Sequence, residues 1–267
     1  MKSPAVFFSH GAPTLAIEPG EYGLALKEFG RALVPRPRAL VVFSGHFEEP
    51  LPARATAAAR PPLIYDFGGF PDEMYRIRYP APGDPELAAE IAGLLRGAGI
   101  PSALDPGRGW DHGLWVPLRM AFPEADVPIV EVSQPAGAAP GKLMEIGAAL
   151  EPLRERGVVL AGSGGIVHNL RRVRFGGGDT VEGWAKEFDD WIADRLETMD
   201  VASLLDYRTK APHAALAVPT AEHFNPLFVV LGALSPDERA ETIYAGFQYG
   251  NISLRSVAFG ADGRSLR

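Results

Sequence analysis

The chain has 267 residues, 46% of them hydrophobic, and its 26 basic and 33 acidic side chains give a net charge of −7. This is the composition of a folded globular protein, and an acidic chain without a basic cluster argues against nucleic acid as a partner. The absence of cysteine excludes disulfides, a thiol nucleophile and thiolate ligands, so a bound metal must use His, Asp or Glu.

The apolar run near the N-terminus, residues 5–8, is too short and too soon interrupted for a signal peptide or a membrane span. We therefore expect a cytoplasmic protein that works without a membrane partner. The composition leaves the oligomeric state open.

Short apolar runs alternate along the chain with amphipathic segments. The apolar runs, rich in β-branched and aromatic residues, predict strands at residues 4–8, 39–44, 127–134 and 157–163. Apolar side chains at helical spacing predict helices at residues 21–33, 84–100, 141–157, 182–199 and 224–234. The alternating tail, residues 241–260, predicts a hairpin that turns at Gly250 and Asn251.

This order of elements predicts one α/β domain over residues 1–267, with a central mixed, mostly parallel sheet flanked by helices. The C-terminal hairpin is expected to add antiparallel strands to the edge of that sheet. The sequence contains no repeat, low-complexity linker or charge run that would mark a domain boundary.

One long segment, residues 49–85, has little regular pattern and is rich in proline, glycine and aromatic residues, including Tyr65 and Phe67. A segment of this length inside a compact domain is usually a lid, a binding loop or disordered. The aromatic side chains argue against disorder. We therefore expect this loop to form a wall of a binding site.

Histidines follow the predicted strands where each strand ends. His10 and His46 come just after the first two strands, and His168 follows a later strand by a glycine-rich turn. In an open α/β sheet, ligands bind outside the carboxyl ends of the strands, so these imidazoles are expected to converge. His112 stands beside Asp111 in a Gly-Trp-Asp-His-Gly segment, and His223 opens an apolar helix.

Each histidine taken alone is more often a hydrogen-bonded structural residue than a ligand. Taken together, two or three imidazoles suit a divalent first-row metal such as zinc, iron or manganese, and further histidines suit acid–base chemistry near neutral pH. The chain has no G-x-S-x-G motif of a serine hydrolase. The GSGG segment at residues 162–165 lacks the Lys-Ser/Thr of a phosphate-binding loop.

A series of segments in this chain resembles the class III extradiol ring-cleavage dioxygenases, and more closely their DOPA 4,5-dioxygenase branch. In chain order these segments are SHGAPT, SGHF, YDFGGFP, YPAPGDPELA, DHGLWVPL, GSGGIVHNL and PTAEHFNPL. The resemblance implies a single α/β domain with a metal cleft at one end of the sheet. It also implies insertion of both atoms of O2 into a catechol ring beside its two hydroxyls.

The resemblance further implies a role for each histidine of the set. His10, His46 and His223 match the metal ligands, His168 matches an acid–base residue of ring opening, and His112 matches a residue that contacts the substrate hydroxyl or oxygen. Fe(II) is the metal expected for activity, although Zn(II) is also found in relatives of this branch. Asp111, Tyr65 and Phe67 are expected near the substrate.

The third ligand position reads Glu222-His223, whereas the broader superfamily uses two histidines and a glutamate. We favour His223, where the branch has its ligand, and keep Glu222 in reserve. Three neutral imidazoles resemble the ligand set of zinc, which cannot transfer electrons to oxygen. A zinc-dependent hydrolase and a non-enzymatic binding protein on the same fold therefore stand as alternatives.

Overall fold

A six-stranded sheet lies at the centre of the computed structural model, which describes residues 2–174 and 180–260. The strands, in their order across the sheet, are β6 (Ile129–Glu131), β2 (Ala39–Ser44), β8 (Val158–Gly164), β1 (Ala5–Ser9), β12 (Ser256–Gly260) and β9 (Arg239–Tyr244). Strands β6, β2, β8 and β1 run parallel, and β12 is antiparallel to both of its neighbours. The mixed, mostly parallel sheet predicted from the sequence is confirmed.

Short strands form three two-stranded pairs outside this sheet. They are β3 (Glu48–Glu49) with β7 (Gln134–Pro135), β4 (Ala53–Thr56) with β5 (Ser102–Asp105), and β10 (Phe247–Gln248) with β11 (Ile252–Ser253). The β10–β11 pair interrupts the longer β9–β12 hairpin. Its turn contains Tyr249 and Gly250, both with positive φ, next to Asn251. The predicted C-terminal hairpin and its turn are therefore confirmed.

Helices cover both faces of the sheet. They are α1 (Gly20–Ala32), α2 (Pro85–Gly97), α3 (His112–Ala121), α4 (Pro140–Leu150), α5 (Gly183–Glu197), α6 (Val201–Leu205), α7 (Tyr207–Lys210), α8 (Ala214–Ala217) and α9 (Pro226–Gly232). Alternate side chains of β1 point to opposite faces, so Val6 and Phe8 pack with α1 and α3 while Ala5 and Phe7 pack on the side of α4 and α9. None of the helices in residues 2–174 and 180–260 has the length and apolar character needed to cross a membrane.

Proline and glycine account for the differences from the predicted helices. The helix predicted over residues 141–157 ends at Leu150, because Pro152 has no N–H for the α-helical ladder, and a 3-10 helix follows. Helix α9 begins at Pro226, a favoured first helical position, so His223 lies in the turn before it. Helix α3 was not predicted, because it is buried on all sides and contains Gly113 and Pro117.

The carboxyl ends of the adjacent strands β1, β2 and β8 lie side by side, and the border of the sheet that they form is called its carboxyl edge. Ser9 is in register with Gly164, and Ser44 with Ser163, so the residues that follow these strands emerge side by side. Backbone hydrogen bonds from His10 to Gly164 and from Gly45 to Ser163 continue the ladder by one residue. The functional side chains are therefore presented at this edge.

Two glycines of β8 let the turn that carries His223 approach the sheet closely. A Cβ on Gly164 would lie 1.9 Å from the His223 carbonyl oxygen, and one on Gly162 would lie 2.6 Å from the Pro226 carbonyl oxygen. The Gly165 amide then donates to the His223 carbonyl at 2.8 Å. The GSGG segment thus serves as a docking surface for this turn.

The Gly164→Ala substitution should displace this turn. We expect a loss of about 1–3 kcal/mol in the free energy of unfolding and weaker metal binding, because the added methyl overlaps the backbone that carries His223. Urea unfolding and metal content by atomic emission measure the two effects. The matched control is Gly93→Ala in α2, where a Cβ meets open space and about 0.5–1 kcal/mol of stabilisation is expected. Equal behaviour of the two variants would contradict this account of β8.

Candidate metal centre

Five histidines surround one cavity of about 250 Å³ at the carboxyl edge of the sheet; they are His10, His46, His112, His168 and His223. His10 directly follows β1, His46 lies in the turn after β2, and His168 follows β8. The sixth histidine, His213, is on the surface, where its Nε2 lies 2.9 Å from a Glu187 oxygen. The structure therefore brings together the strand-end histidines and those from α3 and the turn before α9.

Ring nitrogens of these histidines approach one another closely. The His46 Nε2 atom lies 3.3 Å from His10 Nε2 and 3.2 Å from His223 Nε2. Two further triplets, His10 with His168 and His223 and His10 with His46 and His112, have all their ligand atoms within 4.8 Å of one another. The 3.2–3.3 Å contacts of His46 Nε2 make His10, His46 and His223 a candidate ligand set alongside these two triplets.

Carboxylates fix the tautomers of two of these imidazoles. The His46 Nδ1 atom lies 3.2 Å from an oxygen of Asp66, and His223 Nδ1 lies 3.0 Å from Glu222 Oε1. An ionised carboxylate only accepts hydrogen bonds, so His223 Nδ1 carries the proton and its Nε2 the lone pair, and the Asp66 charge beside His46 Nδ1 favours the same tautomer there. Two lone pairs therefore face each other across 3.2 Å.

A hydroxyl fixes the third imidazole in the same way. The Ser163 hydroxyl donates to the Gly113 carbonyl, so its oxygen accepts from His10 Nδ1 at 3.1 Å. The lone pair of His10 then also lies on Nε2. A Cβ on Gly113 would lie 2.9 Å from His10 Nδ1 and 2.8 Å from His46 Cδ2, so this position requires glycine for close approach.

This donor set fits a divalent metal ion. Tetrahedral coordination at about 2.0–2.1 Å per nitrogen separates two ligand nitrogens by about 3.3–3.4 Å, close to the 3.2–3.3 Å observed. Burial and the neighbouring imidazoles lower the pKa of His46 to about 3 and hold that of His10 well below its usual value. Neutral imidazoles are the form that binds a metal, and a cation would relieve the repulsion between their lone pairs.

Asp66 was not identified from the sequence, although it lies in the YDFGGFP segment of the long loop. One of its oxygens accepts from both the backbone N–H and Nδ1 of His112 at 2.9 Å, while the other lies 3.2 Å from His46 Nδ1. Burial raises the pKa of Asp66, but the hydrogen bonds and charge of His112 outweigh it and lower the pKa to about 2. The only sequence signal for this role was the position of this acidic residue between two aromatic ones, Tyr65 and Phe67.

His112 and His168 extend the site beyond His10, His46 and His223. Asp66 holds the proton of His112 on Nδ1, which leaves the His112 Nε2 lone pair toward the cavity. The His168 ring stacks on His223 with centroids 3.7 Å apart and planes 7° apart. Burial, followed by the neighbouring His223, lowers the pKa of His168 to about 2. Both imidazoles can accept a proton from a bound hydroxyl.

The remaining predicted residues divide between the cavity wall and the layer behind it. Phe67 lines the cavity, with its ring centroid 5.6 Å from that of His112. Tyr65 lies behind Phe67 and donates to the Ile77 carbonyl at 2.6 Å. The Glu222 carboxylate does not point at the Nε2 atoms of the histidines, because it accepts hydrogen bonds from His223 Nδ1 and from the Thr220 hydroxyl.

Asp111 is buried behind the histidines and does not line the cavity. Its carboxylate accepts from the Leu114 amide as the N-cap of α3, accepts from the Ser44 hydroxyl at 2.7 Å and forms an ion pair with Arg108 at 2.8 Å. The Ser44 oxygen in turn accepts from the His46 amide at 3.1 Å. The geometry therefore favours a positioning role for Asp111, which ties the His46 turn to the start of α3, over direct substrate contact.

Residues 4–260 match the family described as the catalytic LigB subunit of aromatic ring-opening dioxygenase. The chain is 38% identical to the 4,5-DOPA dioxygenase extradiol of Beta vulgaris, over 95% of both chains. It is 37% identical to the protein of that name from Escherichia coli K12, over 97% of this chain and 95% of the relative, and 39% identical to that of Portulaca grandiflora, over 95% and 94%.

A solved structure also matches the fold. The crystal structure of an uncharacterized protein from Escherichia coli K12 superposes with a TM-score of 0.81 at 32% sequence identity. The match covers 97% of this chain and all of that one. The arrangement of sheet and helices around the histidines is therefore shared with this relative.

The Asp66→Asn substitution should weaken the centre without unfolding the protein. The amide cannot accept from both His46 Nδ1 and His112 Nδ1 as a carboxylate does, so both rings lose their fixed tautomer. We expect metal affinity to fall about 10- to 100-fold, measured by competition with a chromogenic chelator, and kcat to fall more than KM changes. The control is Asp72→Asn, an exposed carboxylate of the same loop. Wild-type metal affinity and kcat in the Asp66→Asn variant would contradict the conclusion that Asp66 orients His46 and His112.

Proposed function

This chain belongs to the family of the catalytic LigB subunit of aromatic ring-opening dioxygenases and is an extradiol ring-cleaving dioxygenase; we propose that it uses Fe(II), held by His10, His46 and His223, to cleave a catechol. The observation that supports this most directly is that His46 Nε2 lies 3.2–3.3 Å from the Nε2 atoms of both His10 and His223, whose own protons are held on Nδ1. Residues 1–267 would form one catalytic domain, and a cytoplasmic location stays a proposal.

Held by His10, His46 and His223, iron would supply the electron transfer that O2 needs to react with an aromatic ring. The chain's own residues then handle the protons. His168, whose imidazole lines the cavity, accepts the proton of the second hydroxyl and returns it to an oxygen during ring opening. His112, oriented by Asp66, presents Nε2 to the substrate hydroxyl or oxygen.

The aromatic loop completes the site. Phe67 packs against His112 and Phe70, with ring centroids 5.6 Å away in both cases, and so provides an apolar wall for the substrate ring. Such a wall excludes water from the reacting atoms. The relatives from Beta vulgaris, Escherichia coli K12 and Portulaca grandiflora named above as 4,5-DOPA dioxygenases give no support to a zinc-dependent hydrolase or a non-enzymatic binding protein.

Oxygen uptake on metal-reconstituted protein tests the proposed metal and reaction. The metal-free protein is loaded anaerobically with Fe(II) or, in parallel, with Zn(II), and each form receives catechol and its 4-substituted derivatives in an oxygen electrode. We expect the iron form alone to consume one O2 per catechol and to give a yellow ring-opened product. Turnover by the zinc form, or no uptake by the iron form with any catechol, would overturn the proposal.

Replacing each histidine in turn tests the assigned roles. We expect alanine at position 10, 46 or 223 to abolish stoichiometric metal binding. We expect His168→Ala and His112→Ala to retain the metal and to lose about 10²–10⁴-fold in kcat, the usual range for an acid–base residue. The control is His213→Asn on the surface, where φ is +56°, a conformation that asparagine tolerates.

The alternative triplets make this scan decisive. If His168→Ala loses the metal while His46→Ala keeps it, then His10, His168 and His223 are the ligands. If His112→Ala loses the metal while His223→Ala keeps it, the ligands are His10, His46 and His112. Circular dichroism of each variant separates loss of metal from loss of fold.

A further inference from the structure

The cavity is lined by two chemically different groups of side chains. One group, the histidine end, consists of the five imidazoles and Asp66. The other group, the apolar end, adjoins it through the contact of Phe67 with His112 and consists of Pro13, Phe67, Phe70, Leu170, Val173 and Ile252. A catechol held at the histidines would therefore direct its ring substituent into apolar surroundings.

Polar groups near the apolar end are already engaged. The Tyr249 hydroxyl lies 2.8 Å from Thr14 Oγ1, within hydrogen-bonding distance. Asp66 is committed to His46 and His112. A polar or charged substituent would lose hydrogen bonds to water and would meet only groups that are already hydrogen-bonded, which is unfavourable.

Basic side chains are absent from the cavity lining, as far as residues 2–174 and 180–260 are concerned. Arg78 donates to Tyr65 Oη and to the Ile77 carbonyl, and Arg174 is paired with Glu182. Arg171 and Arg172 follow Leu170 in the chain but are exposed and do not line the cavity. The Asp66 carboxylate adds negative charge to the same space, which disfavours an anionic substituent.

The mouth of the cavity is apolar as well. Leu170, at the start of a 3-10 helix, is 67% exposed and belongs to the lining. Phe67 and Phe70 pack edge to face beside it in the same wall, with centroids 5.6 Å apart. An exposed leucine at a cavity mouth offers apolar surface to a group that extends outward from the ring.

We propose that this enzyme prefers catechols with an uncharged, apolar ring substituent over catechols that carry a carboxylate or an amino-acid side chain. This inference rests on the proposed function, because it takes the histidine end as the binding point of the two hydroxyls. It differs from the substrate named for the relatives, whose DOPA carries both a carboxylate and an ammonium group.

Steady-state kinetics of the Fe(II) enzyme on matched substrates tests the preference. Catechol, 4-methylcatechol and 4-butylcatechol form the apolar series, and 3-(3,4-dihydroxyphenyl)propionate and L-DOPA form the charged one. We expect kcat/KM to rise about two- to fourfold per buried methylene along the apolar series. We expect 4-butylcatechol to exceed the propionate, which is similar in size, by about tenfold or more.

Anaerobic binding gives a readout that does not depend on turnover. Dissociation constants of 4-butylcatechol and of the propionate for the Fe(II)-loaded and Zn(II)-loaded protein are measured by isothermal titration calorimetry. The same order of preference is expected in both metal forms. No oxygen uptake with any catechol, together with tighter binding of the alkylcatechol, would overturn the proposed reaction and leave the preference supported.

A charge introduced at the mouth should reverse the preference. Leu170→Arg is expected to raise kcat/KM for the propionate about tenfold and to lower it for 4-butylcatechol, because the exposed position accepts a cation without disturbing the core. The matched control is Leu24→Arg on α1, a leucine that is 62% exposed and does not line the cavity. The control should leave both values unchanged.

Two results would overturn the inference. One is a wild-type preference for L-DOPA or the propionate over 4-butylcatechol in both turnover and binding. The other is a charged-substrate preference that Arg171→Ala abolishes, since that would assign Arg171 as an anion site. Either result would leave ring cleavage itself intact.

Discussion

The rest of this structure depends on one electrostatic constraint, the convergence of imidazole lone pairs in a water-poor cavity. His46 Nε2 lies within 3.3 Å of two other Nε2 atoms, and the proton of each ring is held on its opposite nitrogen. In the absence of a cation, such an arrangement brings like partial charges together and removes hydration. The fold therefore holds these imidazoles in a geometry that a bound metal ion would make favourable.

Several features of the fold keep the nitrogens in place against this repulsion. The parallel strands β1, β2 and β8 bring two ligand-bearing turns to one edge, and Gly164 lets the turn with His223 dock onto that edge. Carboxylates stand behind the rings: Asp66 links His46 to His112, and Glu222 holds His223. The negative charges of Asp66 and Glu222 lie beside the Nδ1 atoms, so the imidazole nitrogens that face the cavity are neutral.

The cavity contains one group of residues suited to the reaction and another that would contact the ring substituent of the substrate. The imidazoles of His168 and His112 lie at the histidine end, where His168 stacks on His223 and His112 begins α3. The aromatic loop and the segment around Leu170 supply the apolar end. Relatives can therefore share the reaction and the histidines while differing in the substituent that they accept, because the groups that read the substituent lie on loops.

The sequence by itself determined the α/β class, most of the sheet strands, the C-terminal hairpin and the convergence of His10, His46 and His168, because apolar periodicity and the polarity of parallel strands are local properties. It did not determine that α3 is a helix, that Asp66 bridges two imidazoles or that Asp111 lies behind the cavity. Those facts depend on contacts between residues 20 to 67 positions apart, as between Asp66 and His46 or Asp111 and Ser44. Only the tertiary structure brings such residues within hydrogen-bonding distance, and only it shows the Glu222 carboxylate beside His223 Nδ1.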